Sequence, residues 1–107
     1  MAYSVILMTA ATEEEAGRLA RMLVERRLAA CVSQVPGLHS VYWWEGAVQE
    51  SQEVLLIAKT LKTKVKELVK AVKREHSASV PEVLSLPVKE GSRDYLRWIA
   101  ESLKGEG

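Results

Sequence analysis

Arg27-Leu-Ala-Ala-Cys31-Val-Ser-Gln-Val-Pro36-Gly37-Leu-His39-Ser-Val-Tyr42-Trp43-Trp44-Glu45-Gly46 is the stretch that decides how this chain folds. From Ala29 to Glu45 it reads as a long β-strand, interrupted at Pro36-Gly37 and closing on the aromatics Tyr42, Trp43 and Trp44. Pro36 has no N–H to give to a ladder, so a bulge is predicted there. Neighbouring side chains on a strand point to opposite faces. Trp43 and Trp44 therefore cannot both enter one core. Whichever lies on the far side needs its own cover, which a lone chain does not obviously supply.

Outward from this strand the order of elements is legible. Before it, Tyr3 to Ala10 is almost continuously apolar, as expected of a buried strand. Thr12 with Glu15 three residues on is a capping-box signature, with Glu13 and Glu14 at the positive end of the helix dipole. Ala16, Leu19, Ala20 and Leu23 then form one helical face, ending near Arg26-Arg27. After it, Glu45-Gly46-Ala47 reads as a hairpin turn, its type not fixed by Gly46 alone. Gln49 to Thr60 is the returning strand. Thr63 is the expected cap of a second helix whose apolar face is Val65, Leu68, Val69 and Val72. Ser77-Ala78-Ser79 is a polar break, and Glu82 to Val88 a fourth strand. Ser92 caps a last helix with Tyr95, Leu96, Ile99 and Leu103 as its buried set.

The order β-α-β-β-α-β-α makes the fold class α+β: a ferredoxin-like βαββαβ unit with an antiparallel sheet and an additional C-terminal helix. With 107 residues, one domain spanning 1–107 is the natural count, with a tail after Leu103 expected to fray. The net charge of +1 gives no argument for nucleic acid or an anionic membrane surface. Lys62, Lys64, Lys66, Lys70, Lys73 and Arg74 lie mostly opposite the apolar face of the second helix, as a solvated face does. No apolar run approaches the roughly 18 residues of a membrane span, and no leader is evident, so a cytoplasmic protein is expected. A single cysteine, Cys31, leaves no disulfide framework and no multi-cysteine zinc site within one chain. No glycine-rich phosphate loop or nucleophile elbow is present, so the chain does not read as an enzyme.

Two helices cover one face of a four-stranded sheet, and the other face should then alternate with polar residues. It does not. Val5 and Leu7 oppose Ile6 and Met8, and Leu55 and Ile57 oppose Val54, Leu56 and Ala58. Both faces are apolar, which marks an interaction surface. Identical subunits packing sheet on sheet would bury it. Burial of one Leu or Val is worth roughly 1.5–3 kcal/mol, so a few per subunit make association obligatory. The alternative is that the last helix folds over part of this face.

Arg27-Leu-Ala-Ala-Cys31-Val, Pro36-Gly37, Ser40-Val-Tyr-Trp-Trp-Glu-Gly46, Glu53-Val-Leu-Leu-Ile-Ala-Lys59-Thr60, Val80-Pro81-Glu82 and Tyr95-Leu-Arg-Trp98 together resemble the CutA divalent-cation tolerance family. The resemblance spans nearly the whole chain in order. It implies a homotrimer whose sheets pack around a threefold axis, similar in architecture to the PII signalling trimers. It also implies an association with tolerance to copper and other divalent cations, with no accepted catalytic activity. One segment departs from the family pattern His-Pro-Tyr-Glu-x-Pro-Glu. Here it reads His76-Ser77-Ala78-Ser79-Val80-Pro81-Glu82, which removes an aromatic wall and a carboxylate from an intersubunit cleft. Natural divergence and deliberate engineering of a larger pocket are both open. Ser33 also stands where the family often has Asn.

The candidates for chemistry are few. Cys31 is soft and suits Cu(I), and it equally suits a small buried hydrophobe. His76, after a helix C-terminus, is a metal candidate or a cap interacting with the dipole. His39 reads as a surface residue. Through the resemblance, Trp44, Lys59 and Glu82 are cleft candidates for a small anionic ligand of a PII-like sensor; read blandly, Lys59 and Glu82 are strand-end charges. Tyr42, Trp43 and Trp44 are expected at the trimer interface, where aromatics are enriched. The leading expectation is a trimeric binding protein for copper or another divalent cation. A small-ligand sensor and a stable trimeric scaffold are the alternatives.

Overall fold

A computed structural model describes residues 1–105 of the chain; the predicted frayed tail falls partly on residues 106–107, which lie outside the described residues. The elements are β1 (Tyr3–Ala10), α1 (Glu13–Glu25), β2 (Cys31–Trp44), β3 (Ala47–Leu61), α2 (Val65–Glu75), β4 (Val83–Val88) and α3 (Arg93–Ser102). The strands form one antiparallel sheet in the order β2-β3-β1-β4. This is the α+β, ferredoxin-like arrangement expected from the element order, with α3 added.

Thr12 caps α1 as predicted: its hydroxyl accepts from the Glu15 N–H at 3.0 Å. The helix ends in a Schellman arrangement. The Arg27 N–H donates to Val24 O at 3.0 Å and the Leu28 N–H to Leu23 O at 2.9 Å. Arg27 takes the left-handed position usually given to glycine, with φ 56°. Its guanidinium donates to Ser102 O at 2.6 Å, tying the end of α1 to the end of α3. Ala29 and Ala30 serve this cap and the entry to the sheet, so β2 starts at Cys31 rather than Ala29.

Thr63 does not cap the second helix. It falls within a 3-10 turn, Lys62–Lys64, and α2 begins at Val65 without a side-chain cap. The chain leaves β3 directly into this tight turn, so Thr63 lies within it and the residue before α2, Lys64, is already helical. The apolar face of α2 is otherwise close to expectation, with Leu68, Ala71 and Val72 buried.

The core lies between the two helices and one sheet face. Ile6, Met8, Leu56 and Ala58 meet Leu19 and Leu23 of α1 and Leu68 and Val72 of α2. Thr60 is buried with them and donates its hydroxyl to Leu28 O at 2.6 Å. On the opposite face, cross-strand rows run Leu86–Val5–Lys59–Cys31 and Leu84–Leu7–Ile57–Ser33. Helix α3 covers part of this face, burying Ile99 and Leu103. Leu84 at 55%, Leu86 at 47% and Val35 at 45% exposure remain open, so one helix does not close it. Tyr95 was expected among the buried residues of α3. It is instead exposed and packs its ring against Trp98, centroids 5.4 Å apart.

The bulge predicted at Pro36 has a larger effect than a local kink. Val35 pairs with Leu55 but Leu38 with Glu53, so Pro36 and Gly37 together oppose one residue of β3. Gly37 supplies the positive φ of 80°. One extra residue exchanges the faces of everything beyond it. Tyr42 and Trp44 thereby join Cys31 and Ser33 on the open face, while Trp43 turns to the helix side. Neither tryptophan enters the core: Trp43 is 74% and Trp44 44% exposed. The turn joining the strands, Glu45-Gly46, has φ of 50° and 81° at its two residues. That is a type I′ turn, which matches strand twist and favours glycine.

Candidate functional site

Strand β1 stops at Ala10 opposite Val54, whereas β3 starts seven residues earlier, at Ala47. Beyond Val54 the β2–β3 hairpin therefore projects as a two-stranded arm. The segment from His76 to Glu82 runs alongside, and between them lies a cleft of about 680 Å³. The arm contributes Tyr42, Trp44 and Glu53, and the segment contributes Ala78, Ser79 and Glu82. The Tyr42 hydroxyl accepts from the Ser51 hydroxyl at 3.3 Å, which steadies its ring.

The segment wall is fixed by two buried polar side chains. His76 takes the C-cap position of α2, its N–H bonded to Val72 O at 2.9 Å. Its ring reaches away from the helix: Nε2 lies 2.8 Å from Thr9 O, and Nδ1 accepts from the Ala78 N–H at 2.9 Å. A carbonyl on one side and an amide N–H on the other assign the neutral tautomer with the proton on Nε2. Both ring nitrogens are thus committed within the chain, and a metal ion at His76 would have to break one of these bonds. Glu15 is the second anchor. Its carboxylate accepts from the Ser77 N–H at 2.7 Å, the Ser77 hydroxyl at 3.0 Å and the Ala11 N–H at 3.3 Å. Burial by itself pushes the Glu15 carboxyl up, but the hydrogen bonds from Ser77 and Ala11 outweigh it and hold the carboxyl below its ordinary range.

Cys31 and Lys59 face each other elsewhere, as a cross-strand pair on the open face. Lys59 Nζ donates to Ser33 Oγ at 2.9 Å and lies 3.8 Å from Cys31 Sγ. Tyr95 completes this group. Although the residue as a whole is exposed, local desolvation pushes its phenol up, and the adjoining Cys31 thiol adds to the shift.

The structure thus divides the residues singled out from sequence. Trp44 and Glu82 meet in the cleft, joined by His76, whereas Lys59 stands with Cys31. Cys31 pairs with Lys59, while His76 binds Thr9, whose neighbour on β3 is Leu55. Those positions on β3 are four residue steps apart, about 13 Å along the strand. Among the described residues no group of three or more His, Cys, Asp or Glu converges to hold a metal ion. His39 is exposed, as expected, and pairs with Glu50 at 2.8 Å. Glu53 and Tyr42 line the cleft without having been cleft candidates: Glu53 reads from sequence only as part of the returning strand and the family motif, and Tyr42 only as interface. The register shift at Pro36-Gly37 was the signal that unites them on one face.

A four-stranded ferredoxin-like sheet with a projecting hairpin and a cleft at its root defines the structural class. Within it, this chain belongs to the CutA1 family: a profile described as "CutA1 divalent ion tolerance protein" matches residues 4–102. It is 49% identical to the divalent-cation tolerance protein CutA of Thermus thermophilus, over 92% of this chain and 95% of that protein. It is 45% identical to the chloroplastic protein CutA 1 of Oryza sativa, over 94% of this chain and 56% of that protein. The solved Thermus thermophilus structure superposes with a TM-score of 0.91 at 48% identity, covering 94% and 97% of the two chains. The structure titled periplasmic divalent cation tolerance protein CutA from Archaeoglobus fulgidus gives 0.93 at 37% identity, covering 95% and 99%.

Proposed function

We propose that this chain serves divalent-cation tolerance as a cytoplasmic homotrimer that binds copper or another divalent cation and acts by binding rather than catalysis. One observation carries this reading: Cys31 stands on the half-open apolar sheet face, the surface that self-association would cover. Closed threefold packing of that face puts three copies of one soft ligand in one assembly, which one chain alone does not provide. His76 then acts as the anchor of the 76–82 segment, and Tyr42, Trp43 and Trp44 contribute to subunit contacts. Calorimetric titration with Cu(I), Cu(II) and Zn(II), on the unsubstituted chain and on Cys31→Ser, tests it. Loss of metal binding in Cys31→Ser supports the reading. Unchanged stoichiometry and affinity remove Cys31 from the site.

A second reading, a PII-like sensor of a small molecule, is favoured by the cleft itself. Its roughly 680 Å³ falls in the range of ligand pockets, and the small side chains of Ala78 and Ser79 leave one wall low. A thermal-shift panel of nucleotides and metabolites tests it.

A further inference from the structure

The cleft between the hairpin arm and the 76–82 segment has a definite chemical character. Resting on the reading of this cleft as a ligand site, we propose that it takes an aliphatic amine in its ammonium form, with a diamine the better match. The charge is one-sided. Glu53 and Glu82 line it, and no Lys or Arg does among the described residues. His76 contributes no charge in the tautomer set by Thr9 O and the Ala78 N–H. Lys59, which would have welcomed an anion, is bound to Ser33 outside the cleft. An anion here would meet two carboxylates without a counter-charge.

The remaining lining suits an organic cation. Tyr42 and Trp44 offer aromatic faces, which attract an ammonium group through the ring quadrupole. Ser40 and Ser79 add hydroxyl oxygens that accept N–H bonds, and an ammonium group has three such donors. Val80 and Pro81 supply apolar surface for a methylene chain. A hard divalent ion needs a shell of several oxygen ligands. Two carboxylates on opposite walls of a wide cleft match two ammonium groups on a flexible chain better than one small ion.

The test is calorimetry on the assembled full-length protein near pH 7 and at low salt. The probes are 1,4-diaminobutane, n-butylamine, butyrate and Zn(II) alone. Saturable binding of the diamine is expected, weaker for the monoamine and absent for butyrate. Glu53→Gln and Glu82→Gln should each weaken the diamine by about fivefold, the value of one partly exposed ion pair. Circular dichroism and light scattering on both variants establish that fold and assembly are kept. Equal binding of diamine and butyrate, saturation by Zn(II) but not by amines, or amine binding that survives both substitutions overturns the proposal. A nucleotide or metabolite anion that binds and is lost in Trp44→Leu overturns the amine but keeps the cleft as a ligand site. Absence of binding by every probe and by that panel overturns both.

Discussion

Glu15 and Ser77, 62 positions apart in sequence, are joined twice: the Ser77 amide N–H reaches Oε2 at 2.7 Å and its hydroxyl reaches Oε1 at 3.0 Å. The pair ties the first turn of α1 to the segment that walls the cleft. Bonds to a charged group contribute about 1.5–3 kcal/mol each. Glu15→Gln is therefore expected to lower unfolding stability by roughly 2–3 kcal/mol, and Ser77→Ala, which keeps the amide bond, by about half that. Urea denaturation measures both. Equal losses would mean that the amide bond carries little of the effect.

The same carboxylate gives the fold an acid limb. Its folded value lies below the ordinary 4.5, so the ionised form is favoured by folding. That stability is complete above the ordinary value and is lost as pH falls through the lower, folded value. Stability measured from pH 6 downward should fall less steeply in Glu15→Gln than in the unsubstituted chain. Parallel profiles would assign the acid limb to other groups.

His76 holds two backbone groups at once. Replacing it with Phe keeps the ring volume but leaves the buried Thr9 O without its partner, at about 1–3 kcal/mol, and frees the exposed Ala78 N–H to water. Amide exchange at Ala78 should accelerate, while the core strands stay protected. His76→Phe with unchanged exchange at Ala78 would show that the ring does not secure the segment.

Gly46 adopts φ of 81° beside Glu45 at 50° in the type I′ turn. Gly46→Val places a β-branched side chain in left-handed backbone and should cost about 1–2 kcal/mol. The loss should concentrate in the arm, read as faster amide exchange between Val41 and Val48 than in β1.

Much of this was legible in the residues, because hydrophobic period and capping chemistry are local. Thr12 and Ser92 cap as their spacing requires, accepting from Glu15 N and Tyr95 N. The two-sided apolar sheet also followed from alternation alone. The failures came where tertiary geometry intervenes. Thr63 has the right side chain for a cap, but the chain turns too tightly at Lys62–Lys64 to use it. Tyr95 has the right helical spacing for burial, but it stays exposed and packs against Trp98 instead. Pro36-Gly37 announced a bulge without stating that it exchanges faces. Only the register shows that Tyr42, Trp44 and Glu53 share a side, and only the folded chain shows that Lys59 lies apart from them.

Self-association through the open face is the central claim, and Leu84 and Leu86 are its most accessible apolar groups. Light scattering coupled to size exclusion at micromolar concentration tests it most directly. The unsubstituted chain should elute at about 36 kDa, three times the 11.9 kDa chain, as a closed threefold assembly requires, and Leu84→Glu should shift it toward one chain. A mass of 11.9 kDa for the unsubstituted chain would contradict the account.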